Sequence, residues 1–451
     1  MDRDVVIVGA GVVGTAIARE LTRFDLGVTL LEAAPDVGAG TSKANTALLH
    51  TGFDAKPGTV EARLVPRGCE LLAEHAARVG IPLERTGALL VAWDEEQRGE
   101  LPGIVERSRA NGYDAIRELD VAELYEREPH LGPGAVAALE VPDEALVCPF
   151  TTPLAFATEA VLTGCDLRRS TPVTGVRRVQ GGFEVHTPGG ALTARRFVNA
   201  AGLRSDEIDR MLGGDSFTVT PRRGELIVFD KLSRPLVRHI LLAVPTRVSK
   251  GVLVSPTVFG NLMVGPTADD VQRKDDTSST GSGLAHLLSE AGRIVPALSS
   301  FDVTAVYVGL RAATEHADFQ IRFEDGYACV GGIRSTGLSA SMAIAEHVRE
   351  GLELEAAARA TRRPPRMPSI GEAFPRPYRQ ADLIASDPDY GRVVCFCERV
   401  TRGEIRDALA SPVPPVDLDG LRRRTRAHMG RCQGFFCGAR LAGMLAEADR
   451  G

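Results

Sequence analysis

Four cysteines carry the most specific chemistry in this sequence. One residue separates Cys395 from Cys397, four separate Cys432 from Cys437, and 34 residues lie between the pairs. Four soft thiolates suffice to hold a [2Fe–2S] cluster or a tetrahedral zinc ion, and the ligand number suits both. In a reducing compartment such a set points to metal or redox chemistry rather than disulfides. Arg422, Arg423, Arg424, Arg426, Arg431 and Arg440 crowd the second pair. They read either as compensation for an anionic metal centre or as a solvated basic face. Cys69, Cys148, Cys165 and Cys329 are scattered singly and read as small buried apolar residues.

The second constellation is Gly9-Ala10-Gly11-Val12-Val13-Gly14. An apolar run at 5–8 precedes it, a segment of helical periodicity follows at 15–23, and a second apolar run at 28–31 ends on Glu32, 18 positions after Gly14. This strand–helix–strand context is what makes the glycine spacing informative. Gly9 permits the tight turn, Gly11 lets backbone approach a pyrophosphate, and Gly14 lets helix and strand pack closely. Glu32 accepts hydrogen bonds from a ribose and disfavours a 2′-phosphate, so FAD or NAD is expected rather than NADP. Two further glycine turns follow strands, at Asn199-Ala200-Ala201-Gly202 and from Gly331 through Gly337. The second opens a helix at 338–348 whose N-terminus presents backbone N–H groups to an anion. Gly309-Leu310-Arg311 follows a strand at 303–308, so Arg311 is a candidate bidentate clamp for a carboxylate or phosphate, with a structural salt bridge as the alternative.

The 451 residues allow about three domains. With 44% apolar and 25% charged residues the composition is that of a globular protein, which excludes global disorder. A net charge of −6 gives no general attraction to nucleic acid or anionic lipid. The longest apolar stretch, 5–18, is interrupted by three glycines and is too short to span a bilayer, so no integral membrane segment is expected. Asp2 and Asp4 precede it, which argues against a secretory signal and for a cytoplasmic protein. Six prolines among Arg and Ser at 361–388 mark a linker.

Together these residues resemble the FAD-dependent oxidoreductases of the D-amino-acid oxidase superfamily over about residues 1–355. Gly40-Thr41-Ser42-Lys43-Ala44-Asn45 is similar to that family's flavin-proximal loop, and Leu48-Leu49-His50-Thr51-Gly52 to the segment passing the isoalloxazine. Pro221-Arg222-Arg223-Gly224-Glu225 and Gly309-Leu310-Arg311 look most like glycerol-3-phosphate and 2-hydroxyacid dehydrogenases. The CxC and Cx4C pairs resemble the BFD-like, bacterioferritin-associated-ferredoxin module, which favours [2Fe–2S] over zinc.

The resemblance implies an α/β (α+β) architecture. A glutathione-reductase-like Rossmann FAD-binding domain takes residues 1–80, 145–220 and 305–355, with an inserted antiparallel-sheet substrate domain at 80–145 and 220–305. A linker at 356–390 and a small helical BFD-like domain at 391–451 complete the chain. It assigns FAD contacts to Gly9, Gly11, Gly14, Glu32, Thr41, Ser42, Asn45, Val173, Ala200, Gly202, Gly332, Gly337 and Leu338, and the cluster to Cys395, Cys397, Cys432 and Cys437. His50 is the candidate base for a substrate hydroxyl, since imidazole titrates near neutrality. Arg311 is the anchor, with Lys250 and Arg223 at the substrate rim. The expected activity is a dehydrogenase for a small anionic hydroxy compound, glycerol 3-phosphate or a 2-hydroxy acid such as L-2-hydroxyglutarate. Electrons would pass through the cluster to a partner protein or quinone pool, with any membrane association peripheral and through that partner. An amine or imino-acid dehydrogenase (proline-, opine- or sarcosine-like) and a non-catalytic iron- or redox-sensing protein are the alternatives.

Overall fold

The computed structural model describes residues 1–245, 251–360, 364–372 and 374–448. Its first sheet has eight strands and is built around Arg3–Val8, where Val5, Val6 and Ile7 have no exposed surface. Such a run fits only a strand covered on both faces. Arg3–Val8 pairs in parallel with Val28–Leu31 on one side and with the far half of Gly190–Asn199 on the other. Asp166–Arg168 and Tyr327–Gly331 extend the parallel core. The near half of Gly190–Asn199 turns instead into an antiparallel ribbon with Gly182–Thr187 and Gly175–Val179. Helices Val12–Leu21, Thr151–Leu162 and Gly337–Gly351 supply most of the apolar cover.

The second sheet has nine strands and draws on both inserted stretches. It is not wholly antiparallel as expected: Ile240–Ala243 runs parallel to Ala88–Ala92, at the seam where the two stretches meet. Val303–Ala313 pairs along its length with Thr220–Phe229, so a boundary at 305 falls inside this sheet. The register sets Arg311 opposite Arg222, on one face of neighbouring strands. Helix Gly281–Ile294 covers the other side of the sheet through Leu287, Ala291 and Ile294. A small three-stranded sheet, Leu48–Leu49, Ala145–Val147 and Leu83–Glu84, brings three distant segments together beneath the cavity described next.

After helix Gly337–Gly351 the chain follows the protein surface rather than standing off as a spacer. Met367 donates its backbone N–H to Val79 O at 2.6 Å, Glu372 donates to Val258 O at 2.9 Å, and Met367 and Ile370 are buried. The C-terminal module has a two-stranded pair, Val393–Cys395 with Val400–Thr401, and three helices, Arg402–Leu409, Leu418–Thr425 and Gly438–Ala448. Thr401 and Glu404 form a reciprocal cap on the first helix. Among the described residues no helix is long and apolar enough to cross a membrane.

Candidate active site and thiol centre

The glycine turn is shaped as its spacing requires. Gly9 sits at φ 98°, where a side chain is strained, and a Cβ on it would stand 2.4 Å from Ala200 O. A Cβ on Gly14 would stand 1.8 Å from Gly9 O, so helix Val12–Leu21 reaches the strand only because this residue has no side chain. A Cβ on Gly11 meets only Ser42 Oγ, at 3.2 Å. Glu32 is committed to backbone: its two oxygens accept from Ala10 N–H at 2.6 Å and Ala34 N–H at 2.7 Å. Burial raises its pKa, opposed by those N–H donors.

Gly11, Thr41, Ser42, Asn45, Ala200, Gly202, Gly337 and Leu338 line one cavity of about 700 Å³. That is in the range of small-molecule and cofactor sites, roughly 300–1,000 Å³. Gly9, Gly14, Glu32, Val173 and Gly332 are not among its lining residues. Val173 packs at the edge of the apolar cluster that holds Val8 and Leu31. Helices Val12–Leu21 and Gly337–Gly351 both begin at the cavity, and neither has a side-chain cap from its own N-cap residue. Ser42 Oγ accepts Val12 N–H at 2.9 Å instead. Two helix N-termini directed into one cavity favour a ligand with negative charge. The loop 40–47 is fixed against the second sheet: Thr41 Oγ1 donates to Leu310 O at 2.8 Å and Tyr307 OH to Asn45 O at 2.9 Å. That attachment is why Arg311 and the nucleotide cradle share one cavity.

Arg311 donates to Thr267 O at 3.1 Å and has no carboxylate within ion-pair distance among the described residues. Burial, and then repulsion from Arg222, pull its pKa down to about 10. The guanidinium therefore remains charged at neutral pH and is left to an incoming anion. Arg223, expected at the rim, belongs to the opposite phase of its strand and faces Asp269 at 3.8 Å. Arg222 lines the cavity in its place and is held by Asp270 at 2.7 Å. A one-residue phase error on a strand exchanges faces. Arg334 also lines the cavity, with its Nε buried and unpaired. Lys250 lies outside the described residues.

His50 lines the cavity beside Phe53 and Asp54. Its backbone N–H donates to Ser339 Oγ at 2.8 Å, which ties it to the start of helix Gly337–Gly351. Nε2 lies 3.3 Å from Asp54 Oδ1 and Nδ1 3.1 Å from Glu144 Oε1. Burial alone would lower its pKa, but the two carboxylates outweigh it and hold the value at about 10. The two carboxylates thus favour a protonated ring over the expected near-neutral imidazole, while Gly52 N–H, 3.0 Å from Nδ1, favours the neutral one. Asp54, Glu144, Ser339 and Arg334 carry no local sequence signal and were not anticipated, while Arg222 stands in the Pro221–Glu225 motif but was not singled out.

The four C-terminal cysteines converge as their spacing predicts. With Phe396 and Phe436 they line a second cavity of about 350 Å³. Cys395 faces Cys437 and Cys397 faces Cys432. Backbone N–H groups, Phe436 first, lower the Cys432 pKa, while burial pushes Cys395 up to about 11. Two facing thiol pairs around one apolar cavity suit a two-iron centre, with two ligands to each iron. The neighbouring arginines have other work. Arg423 and Arg424 close on Asp36 of the nucleotide-binding sheet domain at 2.8 and 2.6 Å, and all three side chains are buried. Arg426 lies 4.0 Å over the Phe259 ring and pairs with Glu398 at 3.2 Å, and Arg431 reaches Asp230 at 3.1 Å. Arg440 is exposed and fits the solvated reading, and Arg422, half-exposed, pairs with Asp419 of its own helix at 2.5 Å. Most of the basic run is therefore an interdomain tie.

A parallel-sheet nucleotide cradle that shares its cavity with an unpaired guanidinium, joined to a four-thiolate module, defines a two-centre oxidoreductase. The chain belongs to the FAD dependent oxidoreductase family, whose model matches residues 4–350, and residues 393–447 match the BFD-like [2Fe-2S] binding domain. It is 34% identical to a glycerol 3-phosphate dehydrogenase of Caloramator mitchellensis, over 98% of this chain and 94% of that one. It is 27% identical to the anaerobic glycerol-3-phosphate dehydrogenase subunit A1 of Haloferax volcanii, over 98% of this chain and 82% of that one. The fold matches the FAD-bound, dithionite-reduced L-alpha-glycerophosphate oxidase of Mycoplasma pneumoniae with a TM-score of 0.78 at 30% identity, covering 82% of this chain and 99% of that one. Its cofactors are FAD and a [2Fe–2S] cluster.

Proposed function

We propose that this protein is a glycerol-3-phosphate dehydrogenase that delivers electrons through its C-terminal [2Fe–2S] domain to a partner protein. The observation that carries the substrate class is Arg311, a buried guanidinium without a carboxylate partner among the described residues, on the wall of the nucleotide cavity. Arg334, on the same wall with an unpaired buried Nε, adds a second cation for a dianionic phosphate. Two relatives that match nearly the whole chain are glycerol 3-phosphate dehydrogenases, which favours a phosphate over a 2-hydroxy acid.

When bound, FAD supplies the hydride acceptor for oxidation of the substrate carbon. Gly11, Ser42, Asn45, Ala200 and Gly202 would hold it, with the amides that begin helix Gly337–Gly351 available to negative charge. Arg311 anchors the substrate anion, and Asp54, paired with the His50 ring at Nε2, takes up the hydroxyl proton.

The partner reading rests on the surface of the module. Phe396, Phe435 and Phe436 are 61, 96 and 69% exposed around the thiol cavity, an apolar cover that suits a protein partner better than water. Reducing conditions in the cytoplasm would keep the four thiols available for iron, which supports that location.

The test is anaerobic mixing of the reconstituted protein with a substrate panel, followed by absorbance. Glycerol 3-phosphate should bleach the flavin band, and L-2-hydroxyglutarate, proline and sarcosine should not. Bleaching by one of the others alone, or by none, refutes the assignment.

A further inference from the structure

Behind His50, away from the cavity, stands Glu144. It occupies the turn before strand Ala145–Val147, has no exposed surface, and is brought to His50 by the pairing of that strand with Leu48–Leu49. A single oxygen does all its bonding. Oε1 accepts Thr51 N–H at 2.8 Å and Thr51 Oγ1–H at 2.9 Å, and lies 3.1 Å from His50 Nδ1, while Oε2 is buried with no hydrogen-bond partner. A carboxylate buried this completely is tolerated only with a compensating positive charge. Among the described residues its one ion-pair partner is the His50 ring.

The charges around the pair are mixed in sign. Asp54 faces Nε2 from the same loop, and Arg107 on helix Glu95–Ala110 lines the cavity opposite. Cys69 on helix Val60–Val79 and Tyr113 each stand near both Glu144 and Asp143, and Arg85 acts on Cys69. Burial pushes the Cys69 thiol up to about 12 with Glu144 adding to it, so that group stays neutral. Helix Gly337–Gly351 contributes only Ser339 Oγ, to the His50 backbone N–H.

We propose that Glu144 is a positioning residue of the active site, gripping the His50 ring by its Nδ1 edge so that the Nε2 edge and Asp54 stay toward the cavity. Glu144 touches neither cofactor nor substrate space, since it is not among the residues lining the cavity. With the ring protonated, Glu144, His50 and Asp54 carry a formal charge of −1 together and can take up one proton, so their titration belongs to the group. The role rests on the reading of this cavity as the hydroxy-substrate site.

The test uses full-length, reconstituted protein with Glu144→Gln, which keeps the shape and removes the charge. Histidine resonances, assigned by comparison with a His50→Asn protein, are titrated by NMR, and the pH dependence of kcat/KM is measured with glycerol 3-phosphate. The expected result is a His50 pKa lower by about one unit or more, as removal of a neighbouring opposite charge dictates. The corresponding limb of the rate profile should move the same way, with KM changed less than kcat. Glu144→Asp, which keeps the charge but withdraws it from Nδ1, should fall between the two and serves if the Gln variant does not fold. An unchanged His50 titration in either variant overturns the proposal. The NMR arm needs no turnover, so it judges Glu144 even if the substrate assignment fails. Full turnover by Asp54→Asn would separately refute the proton-acceptor reading.

Discussion

Asp36→Asn should unlatch the C-terminal module. Asp36 is 1% exposed and receives Arg423 Nη2 at 2.8 Å and both Nη atoms of Arg424, at 2.6 and 2.8 Å. Removing one member of such a buried group typically costs 3–5 kcal/mol, because the remaining charges stay desolvated and unpaired; that is about 3 kcal/mol at the low end. The low end applies here. Arg424 keeps Val413 O and Gly420 O, and Arg423 keeps Asp419. At 1.4 kcal/mol per decade the docking equilibrium should then weaken by about a hundredfold. Hydrogen exchange followed by mass spectrometry reads this directly. Amides of helix Leu418–Thr425 should lose protection by that factor, while those of Arg3–Val8 keep theirs. Unchanged exchange in the helix would refute the claim that this ion group holds the two domains together. The pH dependence has a definite sign. Burial raises the Asp36 pKa, but Arg424 and Arg423 outweigh it and set the folded value below 3.8. Its contribution is therefore complete above the ordinary carboxylate range and is lost only as pH falls through the lower folded value.

Two further outcomes are expected. Gly14→Ala places a Cβ 1.8 Å from Gly9 O, so the strand–helix contact must open, and the purified protein should carry less than a tenth of the wild-type flavin, read as the ratio of flavin to protein absorbance. Cys432→Ser should remove the iron–sulfur absorbance while leaving bleaching of the flavin by substrate intact, and Phe435→Ser should preserve both and slow only turnover with a protein acceptor.

What could be read from sequence was local or periodic. The glycine turn is a contiguous string whose three demands fall within six residues. The cysteine pairs announce themselves by residue type. Arg311 was legible as the cation of the Gly309-Leu310-Arg311 string, although the strand Val303–Ala313 runs on through it. Three things were not. The choice between Arg222 and Arg223 depends on strand phase, set by pairing with Val303–Ala313 and invisible in the dipeptide. Glu144 reaches His50 only through the pairing of Leu48–Leu49 with Ala145–Val147, segments about a hundred residues apart in the chain. The arginine run near the second cysteine pair read as metal compensation or as a solvated face because its partner, Asp36, lies in the first domain.

These distant contacts meet at one loop. Ser42 closes the amide at the start of the nucleotide-binding helix, and the next residue, Lys43, donates to Asp419 of the cysteine module at 3.0 Å. Arg423 bridges Asp419 and Asp36, and Lys43 and Arg423 together hold the Asp419 pKa down at about 2 against the effect of burial. On the far side, Thr41 is anchored to Leu310, beside Arg311. Three consecutive residues therefore connect the substrate anchor, the cofactor cradle and the thiol module. A rigid connection of this kind keeps the two redox centres at a fixed separation, whereas a tethered module would have to find its dock in each turnover. The Arg423–Asp36 and Arg424–Asp36 pairs behind it are buried, so added salt should leave the docked state in place where a surface tie would be screened.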